Sequence, residues 1–304
     1  MNTAEPEKPT VVDVNLPDSS VTPVEVHQPV GRTAAGAAPL VMLWPGFGMG
    51  ASYYRPIARE LAARGYPVAT GELRGQGAST ARATRAGRWG YHDLAAEDYP
   101  RTIRAVKSHL SLLVDHPTVL LTHSMGGQVG VLFLARDDAR ELNVRGLFGV
   151  GSGSPHLPTF PTPMRRRLRL GTILLGRIGG SLGFWPGKVA GWDPVGYGRQ
   201  SGQHMAEWRR LALHNTFAEL GGADLDYPAA MREVELPVLL TRFANDLDCP
   251  RASSTALAEH LPKAGLRIEE LAGDLGHNRW ARQPQVTADR FERFLVDNDI
   301  SAVR

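Results

Sequence analysis

Cysteine is nearly absent from the 304-residue chain, which contains Cys249 alone. A single thiol cannot close an intramolecular disulfide, so the disulfide framework of a small secreted protein is excluded. One cysteine among ten histidines also leaves no Cys/His cluster with zinc-ligand spacing, and the H-E-x-x-H sequence of metalloproteases does not occur. We therefore expect a chain without disulfides and without a catalytic metal.

A strong excess of one charge sign is missing too, because 34 basic residues face 31 acidic ones and the formal net charge is +3. The densest basic run, at residues 165–169, is short and contains no aromatic side chains. We interpret it as the solvated start of a helix rather than a nucleic-acid track. Polar residues also interrupt every long apolar run, as Arg177 does between Leu168 and Phe184. With no signal-peptide pattern in residues 1–6, we expect a cytoplasmic protein with no nucleic-acid partner and no integral membrane segment.

Glycine is abundant, but its spacing does not match a nucleotide-binding loop. Glycines 46, 48 and 50, and again 149, 151 and 153, lack the third glycine at the dinucleotide-binding spacing. The pair Gly187-Lys188 has Leu182 in place of the first P-loop glycine and Val189 in place of the serine or threonine. The sequence therefore predicts no nucleotide cofactor, and no other cofactor is indicated.

Short apolar runs alternate with amphipathic segments along most of the chain. The runs at 40–44, 68–70, 119–122, 144–150, 237–243 and 266–271 predict strands, and the segments at 53–64, 93–114, 125–136, 253–260 and 284–296 predict helices. Buried strands that alternate with helices are typical of an α/β protein whose mostly parallel central sheet has helices on both faces. The Val-rich runs at 11–14 and 21–26 predict short antiparallel strands at the edge of that sheet.

The alternation fails between residues 151 and 230, where Pro, Gly and Trp crowd together and only one clear helix, near 204–217, is indicated. Length alone permits either two domains or one domain with an insertion. We predict a core made of residues 1–154 and 231–304, with residues 155–230 inserted as a small cap. The aromatic residues of the insertion line an apolar pocket or fill its own small core, and both interpretations stay open. These residues are Phe184, Trp185, Trp192 and Trp208.

A serine follows the predicted strand at 119–122 and precedes a predicted helix. A nucleophile on such a sharp turn needs small residues two positions before and two after it, because the backbone there is strained and crowded. Thr122 and Gly126 occupy those positions of Ser124, and the amide of Met125 opens the helix where it can donate to an oxyanion. Ser152 and Ser154 also follow a strand, but without a strand-to-helix turn we expect them to be loop residues.

With this serine turn, the chain from residue 40 to 296 resembles the α/β-hydrolase superfamily. Residues 44–48 lie where the family has a His-Gly turn, with Pro45 in place of the usual His, and the resemblance assigns the second oxyanion N–H to Phe47. Residues 72–79 resemble the family's structural D-x-R-G-x-G-x-S segment, with Glu72 in the place of the Asp. Three further short segments resemble those of an uncharacterised bacterial group of serine α/β-hydrolases within the superfamily. They are Tyr53-Tyr54-Arg55, Phe184-Trp185-Pro186-Gly187 and Gly276-His277-Asn278-Arg279-Trp280.

A serine nucleophile requires a base that takes its proton and an acid that orients the base, here in the chain order Ser, Asp, His. Asp246 follows the predicted strand at 237–243, and His277 follows the last predicted strand. Asp248 is the rival acid. We prefer Asp246 because Pro250, four residues later, resembles the family's D-x-x-x-P turn, while Asp248 suits the cap of the following helix.

The remaining histidines have less favourable positions. His123 is adjacent to Ser124 on a strand, so its side chain is expected on the opposite face, packed under the sheet edge. We expect surface positions for His92, His109 and His116. His204 and His214 fall in the insertion, where they line a pocket or form the polar face of a helix.

The resemblance implies a serine hydrolase that cleaves carboxylic esters or related acyl compounds of small molecules. The serine argues against the dehalogenases and epoxide hydrolases of this fold, which use an aspartate nucleophile. An acyltransferase or thioesterase and a small peptidase would use the same triad. A non-catalytic binding protein of the same fold is the alternative from a different class.

Overall fold

The computed structural model describes residues 8–30, 38–187 and 198–300. Its centre is an eight-stranded sheet with the strand order β1-β2-β4-β3-β5-β6-β9-β10. The strands are β1 (Thr10–Asn15), β2 (Val21–His27), β3 (Leu40–Trp44), β4 (Val68–Thr70), β5 (Thr118–His123), β6 (Val144–Val150), β9 (Pro237–Phe243) and β10 (Gly265–Leu271). The short strands β7 (Phe184–Trp185) and β8 (Gln200–Ser201) form a separate antiparallel pair.

Ten helices connect these strands within the described ranges. They are α1 (Arg55–Ala63), α2 (Tyr91–Asp93), α3 (Tyr99–His109), α4 (Met125–Leu134), α5 (Asp137–Glu141), α6 (Thr162–Leu182), α7 (Gly202–His214), α8 (Tyr227–Met231), α9 (Arg251–Ala258) and α10 (Gln285–Asp297). A π-helical turn, Leu94–Asp98, joins α2 to α3, and 3₁₀ turns occupy Ala51–Tyr54, Leu157–Thr159 and Arg279–Ala281.

The sheet is buried on both faces, as the continuous apolar runs predict. Every residue of β3 is buried. Val41 and Leu43 belong to one hydrophobic core, to which α1 and α10 contribute, and Met42 and Trp44 belong to a second core with α3 and α4. Alternate residues of one strand thus enter opposite cores, since successive side chains of a strand point to opposite faces. The predicted α/β class with helices on both faces is confirmed.

The six strands from β4 to β10 in this order run parallel, while β1 and β2 form the predicted antiparallel edge. Parallel strands bring the loops that follow them to one edge of the sheet, where open α/β sheets bind ligands. Ser124 follows β5, Asp246 follows β9 and His277 follows β10. The fold therefore places the three predicted site residues at the same edge.

The region between β6 and β9 contains more helix than the sequence indicated. The helix α6 spans 21 residues, so the basic run at 165–169 does lie near a helix start, but the helix continues far beyond it. Its glycines have low helix propensity and obscured the periodicity. No helix within the described ranges combines the length and apolar character needed to cross a bilayer. Lys188, Val189 and Trp192 lie outside the described residues.

Candidate active site

Ser124 occupies the turn between β5 and α4 with a strained backbone. Its φ of 51° and ψ of −117° are uncommon for a residue with a side chain. The turn also requires glycine at position 126, because a methyl group there would lie 2.7 Å from the carbonyl oxygen of Trp44. The predicted strand, turn and helix are all present around Ser124.

Thr122 replaces the glycine that usually begins this turn, and two glycines of α4 pack close to it. A methyl group on Gly127 would lie 2.3 Å from the Ser152 hydroxyl and 3.2 Å from that of Thr122. One on Gly130 would lie 2.7 Å from Leu147 and 3.3 Å from the Thr122 methyl group. The Thr122 hydroxyl is within 3.4 Å of the Ser152 hydroxyl. The close approach of α4 to β5 thus depends on helix positions without side chains.

Asp246 and His277 form a hydrogen-bonded pair. The His277 Nδ1 lies 2.9 Å from Oδ2 and 3.1 Å from Oδ1 of Asp246, whose side chain is almost fully buried. Two backbone N–H groups, of Asp248 and Cys249, also donate to Oδ1. These donors hold the carboxyl group in one orientation. Asp248, the rival acid, contributes its amide to this arrangement, and its own side chain is exposed.

Two residues that the sequence analysis did not single out hold this acid loop. The guanidinium of Arg242, the residue before the end of β9, donates to the carbonyl oxygens of Ala244, Asp246 and Cys249. The Asn245 side chain accepts a 2.8 Å hydrogen bond from Gly276 N and so joins the acid loop to the loop of His277. A charged residue in a buried strand was a signal for Arg242, but no local pattern distinguished Asn245.

His123 is buried beneath the site and has both ring nitrogens engaged. Its Nε2 lies 3.0 Å from the backbone carbonyl oxygen of His277, and its Nδ1 lies 2.6 Å from the Tyr54 hydroxyl. Since a carbonyl oxygen only accepts, Nε2 carries the proton and Nδ1 accepts from Tyr54. That hydroxyl in turn accepts from Gly46 N at 2.8 Å. Burial lowers the pKa of His123 well below its usual value, which keeps the ring neutral.

Ser124 and His277 line one cavity. The Ser124 hydroxyl makes no hydrogen bond within the described ranges, and its backbone N–H donates to Val150 O at 3.1 Å. Gly151, with a φ of 58°, leaves space for the acid–base pair, since a methyl group there would lie 2.9 Å from His277 Nδ1. The structure therefore brings Asp246 and His277 into contact, and Ser124 lines the same cavity without a hydrogen bond to His277. Catalytic hydrogen bonds are often this loose before substrate binds.

Comparisons with known proteins identify the fold of this chain. The family model for the alpha/beta hydrolase fold matches residues 39–171. The chain has the α/β-hydrolase fold. No curated protein matches it in a sequence search.

Three solved structures illustrate the likeness of this fold to known ones. The esterase RhEst1 from Rhodococcus sp. ECU1013 is 21% identical, with a TM-score of 0.56 over 95% of this chain and 99% of that one. The esterase EaEST from Exiguobacterium antarcticum is 18% identical, with a TM-score of 0.58 over 94% and 99%. The thioesterase domain from the curacin biosynthetic pathway is 15% identical, with a TM-score of 0.58 over 94% and 100%. At these identities the likeness establishes the fold.

The loop after β3 lies beside the turn that carries Ser124. Phe47 and Met125 both line the cavity. The N–H of Met125 begins α4 and has no acceptor within the helix. Gln76 accepts from Gly48 N, and Tyr54 accepts from Gly46 N, so side chains on both sides of Phe47 hold this loop. Pro45 leaves the Phe47 amide intact and does not prevent this arrangement.

The cavity has a volume of about 400 Å³ and is lined partly by the segment between β6 and β9. Trp208 lines it, whereas Trp185 is buried away from it and Phe184 packs against the guanidinium of Arg199. Of the two interpretations of the aromatic residues, a place in the pocket wall therefore holds for Trp208, and a place in a buried core holds for Trp185. Ser154 lines the cavity with its hydroxyl bound to Asn215 at 2.7 Å, and Ser152 is buried.

One group of metal-ligand side chains occurs in the described ranges. Asp246, Asp248 and His277 each place a ligand atom within 4.8 Å of the others. The Asp246 oxygens are already bonded to His277 and to two backbone amides. The group is accounted for by the acid–base pair.

The other histidines divide between surface and interior. His109 and His214 are exposed, and His92 is partly buried against the Tyr227 hydroxyl. The expectation of a surface position was wrong for His116, which is buried and bonded to the Ala38 carbonyl oxygen. His204 is also buried rather than in the cavity, and burial lowers its pKa to about 3.

Proposed function

We propose that this α/β-hydrolase is a serine hydrolase that cleaves carboxylic esters or related acyl compounds through an acyl-enzyme. The observation that supports the proposal most strongly is the Asp246–His277 pair at 2.9 Å, which shares a cavity with a serine on a strained turn. A strained backbone persists where the surrounding structure holds it, and it is common at active sites. The esterases and the thioesterase domain of the same fold are consistent with this chemistry.

Each residue of the proposed site has one role. The Ser124 oxygen attacks the acyl carbon while His277 Nε2 takes the hydroxyl proton, and Asp246 holds Nδ1–H of the ring so that Nε2 is the free base. The N–H groups of Phe47 and Met125 donate to the oxygen that becomes negative. The proton then passes from His277 to the departing alkoxide, and the carbon–oxygen bond to the leaving group breaks. Water, deprotonated by His277, releases the acid from Ser124 by the same steps.

The segment at 155–230 serves in this proposal as a cap on a core of residues 1–154 and 231–304. The side chains that it contributes to the cavity wall are mostly apolar, which suits the acyl part of a substrate. They include Phe160, Met164, Leu168 and Trp208. A lone, buried cysteine fits the cytoplasm, and this location is part of the proposal.

The test is hydrolysis of p-nitrophenyl esters of increasing acyl length by the wild type, Ser124→Ala and Ser154→Ala. Ser124→Ala is expected to lower kcat/KM by about a thousandfold or more, because no other group supplies the nucleophile. Ser154→Ala is the matched control, since it removes a hydroxyl from the same cavity that is already bonded to Asn215. We expect it to keep most of the activity.

Equal activity in the wild type and Ser124→Ala would contradict the serine mechanism. Absence of both turnover and fluorophosphonate labelling in the wild type would favour the non-catalytic binding protein. Release of acyl groups to an added thiol or alcohol in preference to water would assign the acyltransferase alternative.

A further inference from the structure

The helix α6 exposes large apolar side chains to solvent. Leu170, Ile173, Leu174 and Leu182 are 59%, 39%, 38% and 45% exposed. Four of the ten exposed large apolar residues of the described chain thus lie on this one helix. Exposed apolar residues are ordinary when scattered, but a cluster on one element marks an interaction surface.

The same helix carries five arginines and no acidic residue. Arg165 donates to the carbonyl oxygens of Pro158 and Phe160, which anchors the start of the helix. The remaining four are exposed and make no hydrogen bond or ion pair through their side chains within the described ranges. They are Arg166, Arg167, Arg169 and Arg177. The helix therefore presents a concentrated positive charge that the protein itself does not neutralise.

The apolar and cationic residues share one face. Positions 166, 170, 173, 174 and 177 follow helical spacing, so the three apolar residues lie in a line with an arginine at each end. Arg167 and Arg169 flank this line on either side. Long arginine side chains can keep their charge in water while their aliphatic parts cover an apolar surface. We call these seven residues the α6 outer face.

We infer that the α6 outer face docks on an anionic lipid bilayer, with its apolar residues in the headgroup region and its arginines against lipid phosphates. Helices that lie in a membrane interface combine an apolar face with basic residues, and arginines close to the membrane are attracted to anionic lipids. A nucleic acid would bind the arginines through its phosphates but has no apolar surface to cover Leu170, Ile173 and Leu174. These three exposed apolar residues therefore favour the bilayer.

The opposite side of α6 connects this surface to the cavity. Met164 and Leu168 line the cavity from the same helix, and Arg167 lies where the two surfaces meet. Docking would bring the cavity entrance to the lipid interface, where long-chain acyl compounds partition. This consequence for the substrate rests on the proposed function, whereas the docking itself does not.

Sedimentation with vesicles tests the inference. Vesicles of phosphatidylcholine mixed with phosphatidylglycerol are expected to bind the wild type at low salt, and vesicles of phosphatidylcholine alone are expected to bind much less. Exchange of Arg166, Arg169 and Arg177 for Gln should weaken binding to the anionic vesicles roughly tenfold or more. The same exchange at Arg101, Arg145 and Arg293, which are exposed on other elements, removes equal charge and should leave binding nearly unchanged.

A second variant, with Leu170→Ser, Ile173→Ser and Leu174→Ser together, separates the apolar contribution to binding from the electrostatic one. The wild type should keep part of its vesicle binding at high salt, because salt screens the charges of the arginines but not apolar burial. The triple variant should lose that salt-resistant part. Thermal unfolding and hydrolysis of a short soluble ester, both unchanged in these variants, show that the fold and site are intact. Ser124→Ala should bind vesicles like the wild type, so that a failure of the chemistry is distinguished from a failure of docking.

Three results would overturn the inference. They are equal binding of the wild type to both kinds of vesicle, an equal loss of binding in the two arginine variants, and binding to a DNA duplex with none to vesicles. The last result would assign the α6 outer face to a nucleic acid.

Discussion

Asp246 and Asp248 are two positions apart in one loop but have different surroundings. Asp246 is buried and accepts hydrogen bonds from His277 and from two backbone amides. Asp248 has an exposed side chain at the cavity wall. A carboxylate with several fixed donors is pre-oriented, and it can hold one imidazole tautomer. At the scale of residues, the two carboxylates differ in their hydrogen-bond donors and in their burial.

This difference predicts unequal effects of the same substitution. Asp246→Asn should lower kcat by about three to four orders of magnitude, because an amide no longer stabilises the imidazolium. Asp248→Asn keeps the backbone amide that bonds to Asp246 and should change kcat by less than about tenfold. Steady-state kinetics on one p-nitrophenyl ester measure both. Similar losses in the two variants would mean that the acid has been assigned wrongly.

Two turns at the edge of the sheet are joined through Glu72, which follows β4. Its buried carboxyl accepts from Ala78 N at 3.2 Å and lies beside Gly50, in the loop of Phe47, where a methyl group would be 3.5 Å from the same oxygen. Its second oxygen has no partner in the described ranges. Burial outweighs this hydrogen bond and raises the pKa of Glu72 to about 7. At the scale of elements, a carboxyl that ionises near neutral pH therefore links the turns after β3 and β4.

The raised pKa predicts how stability depends on pH. The unfolded chain ionises Glu72 near its ordinary pKa of 4.5, so the folded state loses stability as the pH rises from there through about 7. Glu72→Gln resembles the neutral carboxyl. Its free energy of unfolding, relative to the wild type, should increase by about 2 kcal/mol between pH 5 and pH 8.

Urea unfolding at several pH values measures this difference, with Glu235→Gln as the control because that side chain is exposed. The control should keep a constant offset from the wild type. A constant offset for Glu72→Gln as well would show that Glu72 titrates normally.

The segment between β6 and β9 is tied to the rest of the molecule through a buried carboxyl of α7. Glu207 accepts 2.8 Å hydrogen bonds from Tyr91 N, at the start of α2, and from Gly221 N. Gly90 is required beside it, because a side chain there would collide with the Glu207 carboxyl. Burial raises the pKa of Glu207 as well. At the scale of the whole molecule, this side chain is one of the links between the segment and the rest of the chain, together with the Ser154–Asn215 hydrogen bond.

Removal of this link should loosen the segment. Glu207→Ala leaves two backbone donors without an acceptor and should lower the free energy of unfolding by about 2 to 4 kcal/mol. Limited proteolysis should cut first within residues 157–226, before the sheet unfolds. Glu219→Ala removes an exposed carboxylate and is the control. Equal protease resistance in the two variants would exclude this role for Glu207.

Much of the fold was predictable from local patterns. The strands of the central sheet and the helices α4, α9 and α10 follow the predicted segments to within a few residues. The start of α6 was predicted from its basic run, but its length was missed because its glycines weaken the periodic signal. The burial of His116 was missed because its partner, Ala38, is distant in sequence. Both failures have the same origin, since a local pattern carries no information about distant contacts.

The sequence by itself determined the alternation of strands and helices, the turn at Ser124 and the chain order of Ser124, Asp246 and His277. These features depend on the spacing of apolar residues and on the size of the residues around the turn, and both are properties of neighbouring positions in the sequence. Only the tertiary structure decided that Asp246 rather than Asp248 contacts His277, that His123 binds Tyr54, and that α6 has one face on the cavity and another in solvent. Those outcomes depend on which distant groups meet in space, because each buried donor or acceptor is stabilised only by the partner that the fold brings to it.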